Sequence, residues 1–139
     1  MKITSETDYA IRIICFLTLK NEKVDSATIS ENTGIPIRFA HKILRTLIGA
    51  SFVKSIKGVK GGYVLSKEPK DISLLDVIET IDGKIVINKC LADGFQCTNP
   101  KTKENQFCAI NDLLSGINND IVKKFSEITF DIIHKNERR

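Results

Sequence analysis

The chain has 139 residues, a formal net charge of +4 and 42% hydrophobic residues, which fits one domain or a small domain with a dimerisation extension. Its longest apolar run, Ile13 to Leu17, is far shorter than the ~18 residues of a membrane-spanning helix. Glu6, Asp8 and Arg12 interrupt the basic-then-apolar pattern that a signal peptide would need. We therefore expect a cytoplasmic protein with no membrane partner.

The positive charge is concentrated in the first half of the chain. Residues 1–70 carry 12 basic and 6 acidic side chains, whereas residues 71–139 carry 9 basic and 11 acidic ones. Such an asymmetry favours nucleic acid as the partner of the first half.

The spacing of apolar residues predicts three helices in that half. The first runs from Ile3 to Leu19 and is apolar on nearly all sides. The second begins at Ser26, the expected N-cap, and ends at Gly34, a residue type that tolerates the left-handed conformation. Ile35-Pro36 then turns the chain into a third helix from Arg38 to Ala50. This order is typical of a helix-turn-helix, whose second helix enters the major groove of DNA.

A basic face and a glycine-rich hairpin extend the predicted DNA surface. Two β-type runs, residues 52–56 and 63–65, flank a turn with glycines and two lysines, which is typical of a wing placed against phosphates or a minor groove. The predicted DNA-contacting residues are Thr28, Ser30, Arg38, His41, Lys42, Arg45, Lys57, Lys60, Gly61, Gly62 and Tyr63. The alternative is a solvated basic helix beside an ordinary hairpin.

A polar, cysteine-bearing segment follows a fourth helix that we expect Ser73 to cap. Residues 89–107 show neither helical nor strand periodicity, and Cys90, Cys97 and Cys108 follow the spacing C-x6-C-x10-C. The paired C-x2-C knuckles of structural zinc are absent. Three thiols in a polar loop still suit a metal centre, because thiolates bind zinc or iron–sulfur clusters, and a fourth ligand would have to come from elsewhere. Three unligated thiols are the alternative.

Apolar residues from Ile110 to Ile128 recur every three or four positions and predict a long amphipathic helix suited to dimerisation. The sequence thus predicts a mostly α fold with a small β-wing. Residues 1–83 would form a winged helix-turn-helix DNA-binding domain, and residues 84–139 a cysteine loop with a dimerisation helix.

The chain resembles the Rrf family of bacterial winged-helix transcription regulators. The resemblance rests on segments that match in order along nearly the whole chain, on the three cysteines and on the long last helix. The matching segments are Thr4–Ala10, Gly34–Pro36, Gly58–Tyr63, and Ile72–Ile78 through Asp82-Gly83. It implies a homodimer, crossed through the long helices, that binds a pseudo-palindromic operator in double-stranded DNA.

The resemblance also implies a cluster site, with departures. Cys90, Cys97 and Cys108 stand where cluster-binding members keep their cysteines, although the ten-residue gap is wider than is common in the family. IscR-like members place a histidine three residues after the last cysteine, and that position is Asn111 here. NsrR-like members instead use an aspartate in the partner subunit's first helix, which Asp8 matches; a solvated or helix-dipole carboxylate is the alternative. His41 stands where many members carry glutamate, which affects base readout.

The leading hypothesis is a dimeric, non-enzymatic DNA-binding regulator controlled by a [2Fe–2S] or [4Fe–4S] cluster. A cluster-free repressor of the same fold would instead use thiol redox chemistry or a partner protein, as CymR-like members do. A small iron–sulfur redox protein is the alternative from a different class; the sequence has no nucleotide-binding glycine fingerprint and no Ser/His/Asp constellation to support catalysis.

Overall fold

The computed structural model describes residues 1–105 and 107–137, and this part of the chain forms seven α-helices and a two-stranded sheet. Gln106, in the predicted cysteine loop, and Arg138 and Arg139 lie outside the described residues. The fold is mostly α with a small β-wing, as the sequence predicts.

Helix α1 (Ser5–Lys20) is the centre of the core. The Thr4 hydroxyl caps it by accepting a hydrogen bond from the Thr7 N–H at 3.2 Å, and the helix ends at Asn21 in the left-handed conformation. Ala10, Ile13 and Ile14 are fully buried, so this helix is surrounded by its own chain.

The helix-turn-helix consists of α2 (Ser26–Thr33) and α3 (Ile37–Gly49). The expectation that Ser26 is the N-cap is wrong by one position. The Asp25 carboxylate accepts a hydrogen bond from the Thr28 N–H at 2.8 Å, so Ser26 already belongs to the first helical turn. Gly34 ends α2 with φ of +70°, which confirms the predicted left-handed glycine.

The wing is formed by β1 (Val53–Ile56) and β2 (Gly62–Leu65), which pair antiparallel. Val24 extends this pairing, because its N–H and C=O exchange hydrogen bonds of 3.0 and 2.8 Å with Tyr63. Glycine is required at Gly62 because a Cβ there would lie 2.8 Å from the carbonyl oxygen of Val24. The base of the wing is therefore held against the segment before α2.

Helix α4 (Leu74–Asp82) begins with the predicted capping box between Ser73 and Asp76. The cysteine segment that follows is more regular than expected: it contains a 3-10 turn at Lys89–Leu91 and helix α5 (Pro100–Asn105). Proline at the first helical position and an Asn99 side chain that accepts the Lys101 N–H at 3.1 Å explain where α5 begins.

The long helix α6 (Ala109–Glu127) is followed by a break and helix α7 (Phe130–Glu137). The Phe130 N–H donates to the Ile72 carbonyl at 3.1 Å, and the Phe130 side chain is buried in the core with α1. The end of the chain therefore returns to the N-terminal half. Among the described residues, no helix has the length and apolarity that crossing a membrane would require.

Candidate DNA-binding face and thiol-lined cavity

Helix α3 has one buried and one exposed face. Its buried side chains are Ala40, Ile43, Leu44 and Leu47. Arg38, His41 and Arg45 are exposed, and within the described part of the chain no ion pair joins them to an acidic group. The predicted basic face of α3 is therefore exposed to solvent.

A shallow groove of about 310 Å³ lies between α3 and the wing. His41, Arg45 and Ile48 line it from the helix, and Ser55 and Tyr63 line it from the two strands. The sequence identified His41, Arg45 and Tyr63 but missed Ile48 and Ser55. The strand register could have suggested Ser55, because it is the cross-strand partner of Tyr63.

Lys42 differs from the other basic residues of this face. Its Nζ atom lies 2.9 Å from Oε1 of Glu6 on α1, and both side chains are about half exposed. Sequence spacing gave no sign of this pair, because the two residues are 36 positions apart.

The hydroxyl groups of Thr28 and Ser30 donate hydrogen bonds to other residues of the same domain. The Thr28 hydroxyl donates to the Asp25 carboxylate at 3.1 Å, and the Ser30 hydroxyl donates to the Ile35 carbonyl. The hydrogen bonds from Thr28 lower the pKa of Asp25 below its ordinary value, so a negative charge stands at the start of α2.

At the wing tip, Lys57, Val59 and Lys60 are exposed. Gly61 lies just behind the tip, where a Cβ would come within 2.3 Å of the Ile56 carbonyl oxygen. Gly61 and Gly62 are thus explained by close backbone packing, while the two lysines are free of ion pairs within the described residues.

The three cysteines of the polar segment face one cavity of about 410 Å³. Polar and apolar side chains line it together, and the residues are Asn88, Cys90, Phe95, Cys97, Asn99, Thr102, Cys108, Ile110 and Asn111. The structure therefore brings together three thiols that the sequence separates by six and ten residues. All three are free cysteines of intermediate exposure.

Each of these sulfur atoms accepts a hydrogen bond from nitrogen. The Asn88 side-chain amide donates to Cys90 Sγ at 3.1 Å. The backbone N–H groups of Asn99 and Asn111 donate to Cys97 Sγ and Cys108 Sγ, each at 3.4 Å. These donors fix the direction in which each thiol points, and Cys108 is also the N-cap residue of α6.

Sequence reasoning missed these three asparagine contacts and that of Asn118. The Asn118 side chain donates to the Ile85 carbonyl at 3.0 Å and accepts the Ile87 N–H at 2.9 Å, which ties the segment before Cys90 to α6. The seven-residue spacing of Asn111 and Asn118, which puts both on one face of a helix, was the available signal.

By its chemistry, the donor set of three thiols is the kind that iron–sulfur clusters use. In the described part of the chain, no three His, Cys, Asp or Glu side chains converge closely enough to hold one metal ion. A cluster distributes its cysteine ligands over several irons, so its thiols need to line a shared cavity rather than meet at one point. Cys90, Cys97 and Cys108 are the residues that could hold such a group here.

Asp8 is not among the residues that line this cavity. Its Oδ2 atom lies 2.6 Å from Nη2 of Arg12, and Arg12 Nη1 donates to the Thr33 carbonyl at 3.3 Å. Within one chain, Asp8 is therefore connected to the end of α2 rather than to the thiols.

The fourth cysteine, Cys15, is chemically separate from the other three. It packs against the core. Burial, followed by the nearby Glu137 carboxylate, raises its pKa to about 11. This thiol stays protonated near neutral pH and behaves as a small hydrophobic residue.

The fold and the two surfaces define a winged-helix protein with a cysteine-bearing extension that contains a long helix. The profile of the Rrf2 family, described as an iron-dependent transcriptional regulator, matches residues 3–136. The chain belongs to this family, which confirms the resemblance seen in the sequence.

Individual relatives agree with this membership. The HTH-type transcriptional regulator IscR of Vibrio atlanticus is 35% identical over 92 residues, which cover 65% of this chain and 53% of the relative. Among solved structures, IscR of T. potens has a TM-score of 0.75 at 22% identity, covering 99% of this chain and 88% of the other. CymR, the global cysteine regulator of B. subtilis, has a TM-score of 0.78 at 21% identity, covering 98% of each chain.

The solved structures and the curated relatives support different conclusions about this chain. At 21% and 22% identity, the two solved structures support the fold alone. The alignments with three curated relatives span 53% to 63% of the relatives' length.

Proposed function

We propose that the chain is a DNA-binding transcription regulator that acts as a homodimer and whose operator affinity is controlled by an iron–sulfur cluster, [2Fe–2S] or [4Fe–4S]. The observation that carries the proposal is the cavity in which Cys90, Cys97 and Cys108 each accept an N–H hydrogen bond, on a chain that also presents an exposed basic helix. The proposed function includes no catalytic role. Because its partner is DNA, the regulator would act in the cytoplasm.

The DNA-binding part rests on α3 and the wing. Arg38, His41 and Arg45 are exposed on one face of α3, and the groove to Tyr63 gives this face a concave side that a DNA backbone could enter. In this proposal Arg38, Lys42 and Arg45 read base edges in the major groove, while Lys57 and Lys60 contact phosphates. Thr28 and Ser30 would approach phosphates only by giving up their internal acceptors.

The dimer part rests on α6. None of its side chains is buried, and Ile110, Leu113 and Ile117 are 63%, 63% and 51% exposed. An apolar stripe of this length is a poor monomer surface but a suitable helix–helix interface. A two-fold dimer through α6 would present two copies of α3, which suits a pseudo-palindromic operator.

In the cluster part, Cys90, Cys97 and Cys108 would hold the iron atoms through their thiolates. When bound, the cluster supplies reversible one-electron chemistry and reactivity toward oxygen or nitric oxide. The chain's own contribution is to order the segment and to donate hydrogen bonds to the sulfurs. Asp8 of the partner subunit is the proposed fourth ligand, since the described cavity lining contains no further thiol or histidine.

The division at residue 83 is part of the proposal. Residues 1–83 would bind DNA, and residues 84–139 would carry the cluster and the dimer contact. The packing of Phe130 against α1 gives the second part a direct contact with the first, which supports coupling between cluster and DNA.

The test begins with protein purified without oxygen, whose visible spectrum is recorded and whose iron and sulfide are counted per chain. Its affinity for operator DNA is then measured with and without the cluster. A coloured protein with stoichiometric iron and sulfide whose DNA affinity changes on cluster removal is the expected result. A colourless protein that still binds DNA, with an affinity set by thiol oxidation, would replace this proposal with the cluster-free alternative. A coloured protein without DNA affinity would favour the small redox protein.

A further inference from the structure

The cavity contains one polar side chain that joins two of its thiol-bearing segments. Asn111 lies in the first turn of α6, three residues after the N-cap residue Cys108, and its backbone N–H donates to Cys108 Sγ at 3.4 Å. Its side-chain Nδ2 donates to the carbonyl oxygen of Cys90 at 3.2 Å. One residue therefore contacts the segments of both the first and the third thiol.

We propose that Asn111 is a positioning residue that fixes Cys90 relative to Cys108 and so controls how firmly the cluster is held. The inference rests on the cluster proposed above. Asn111 is not a ligand itself, because an amide nitrogen has no free lone pair and an amide oxygen is a hard, weak donor beside thiolates.

Two neighbouring asparagine side chains explain why Asn111 can have this effect. Asn118, two turns further along α6, binds the backbone at Ile85 and Ile87, so the segment before Cys90 is attached to the helix upstream of the cavity. Asn88 then donates to Cys90 Sγ itself at 3.1 Å. Residues 85–90 thus lie along α6 as a strap with attachments at both ends, and Asn111 is the attachment nearest the thiols.

The strap matters because the segment has few other means of staying in place. Residues 88–99 are partly or fully exposed throughout, so burial does little to hold the cysteines there. Outer-shell hydrogen bonds of this kind orient the ligands of a metal site, and their removal typically weakens metal binding about 10–100-fold. Without Asn111, Cys90 could move away from the α6 N-terminus while the fold stays intact.

The experiment compares Asn111→Ala with Asn119→Ala, which changes an exposed asparagine on the same helix. Each protein is reconstituted with iron and sulfide without oxygen, and cluster loss to a chelator is followed by visible absorbance and circular dichroism. Hydrogen exchange of residues 85–91 is measured on the cluster-free proteins. For Asn111→Ala we expect about 10–100-fold faster cluster loss and faster exchange, with Asn119→Ala matching the wild type.

A second variant distinguishes the loss of the hydrogen bond from a general folding defect. Asn111→Leu keeps the approximate shape of the side chain but loses the Nδ2 donor without adding a group that could bind iron, and we expect it to lose the cluster faster as well. If the wild type loads a cluster and both Asn111 variants lose it at the wild-type rate, the positioning role is wrong. A wild type that never loads a cluster would instead overturn the proposed function, and that outcome is visible before any variant is compared.

Discussion

Oε1 of Glu6 lies 2.9 Å from Nζ of Lys42, which joins the first turn of α1 to the proposed DNA face of α3. Both side chains are about half exposed, so this pair contributes only ~0–1 kcal/mol to the stability of the fold. Its larger effect would be on DNA binding. A carboxylate beside Lys42 neutralises a positive charge on that face and repels phosphate.

We therefore predict that Glu6→Gln increases DNA affinity about two- to tenfold at low salt, with little change in melting temperature. Because the lost carboxylate acts on the phosphates through electrostatic repulsion, the gain in affinity should shrink as the salt concentration rises. Fluorescence anisotropy across a salt series measures both quantities. Glu79→Gln on α4 changes the net charge equally at an exposed site, and equal affinities of the two variants would contradict the prediction.

A second prediction separates base reading from phosphate binding. Arg45→Ala should cost roughly 1–3 kcal/mol on the operator and relax the preference at one base pair, because a side chain in the major groove reads base edges. Lys60→Ala on the wing should weaken operator and random DNA alike and reduce the salt slope by about one. Lys123→Ala on α6 is the control. The assignment of α3 fails if Arg45→Ala weakens all sequences equally.

A large part of this architecture was accessible from sequence because it depends on local signals. The left-handed glycine at Gly34, the capping box at Ser73 and the stripe of α6 each follow from residues a few positions apart. Errors arose where two adjacent residues compete for one role. Asp25 caps α2 in place of Ser26 because a carboxylate accepts from the same orphan N–H groups.

Contacts between distant segments could not be predicted in the same way. The pairing of Val24 with Tyr63 explains why Gly62 must lack a side chain, whereas the sequence placed Gly62 in the glycine-rich turn of the wing as a DNA contact. The Asn118 contacts with Ile85 and Ile87 span more than thirty positions. Periodicity gives the type of an element, whereas such side-chain contacts depend on how the elements meet in three dimensions.

The third prediction concerns assembly. Ile117→Asp places a charge in the exposed apolar stripe of α6, where Ile117 is 51% exposed, and should convert the expected dimer to monomer at micromolar concentration in sedimentation. Operator affinity should fall with it, because two half-sites can no longer be bound at once. Asn119→Asp adds the same charge at an exposed position outside the apolar stripe and should remain dimeric. A wild-type monomer under these conditions would contradict the dimer itself.

The fourth prediction concerns Cys15. Because burial raises its pKa to about 11, Cys15 should resist alkylation in the folded protein at pH 8, while Cys90, Cys97 and Cys108 of the cluster-free protein react. The unfolded chain would lose this proton at the ordinary value of 9.0, below the folded value. The free energy of unfolding should therefore fall as the pH rises from 9 toward 11.

Two measurements check that prediction. Mass spectrometry after brief iodoacetamide treatment identifies which thiols react, and denaturant unfolding at pH 8 and pH 10.5 gives the change in stability. Cys15→Ala should remove its share of the pH dependence. Rapid modification of Cys15 at pH 8 would mean that the thiol is neither buried nor protonated as described.

The last prediction concerns the fourth ligand. In one chain the Asp8 carboxylate is paired with Arg12 at 2.6 Å, so binding to iron in the partner subunit would compete with that ion pair. Arg12→Gln should therefore slow cluster loss by freeing the carboxylate, whereas Asp8→Ala should alter the visible spectrum and accelerate cluster loss. A carboxylate is a harder and weaker ligand for iron than thiolate, so even the wild-type site should be sensitive to oxygen. Anaerobic reconstitution followed by timed exposure to air measures all three proteins, with Glu6→Gln as the control from the same helical turn. If Asp8→Ala keeps both the spectrum and the rate of the wild type, the fourth ligand is solvent or another side chain, and the ion pair with Arg12 is the whole role of Asp8.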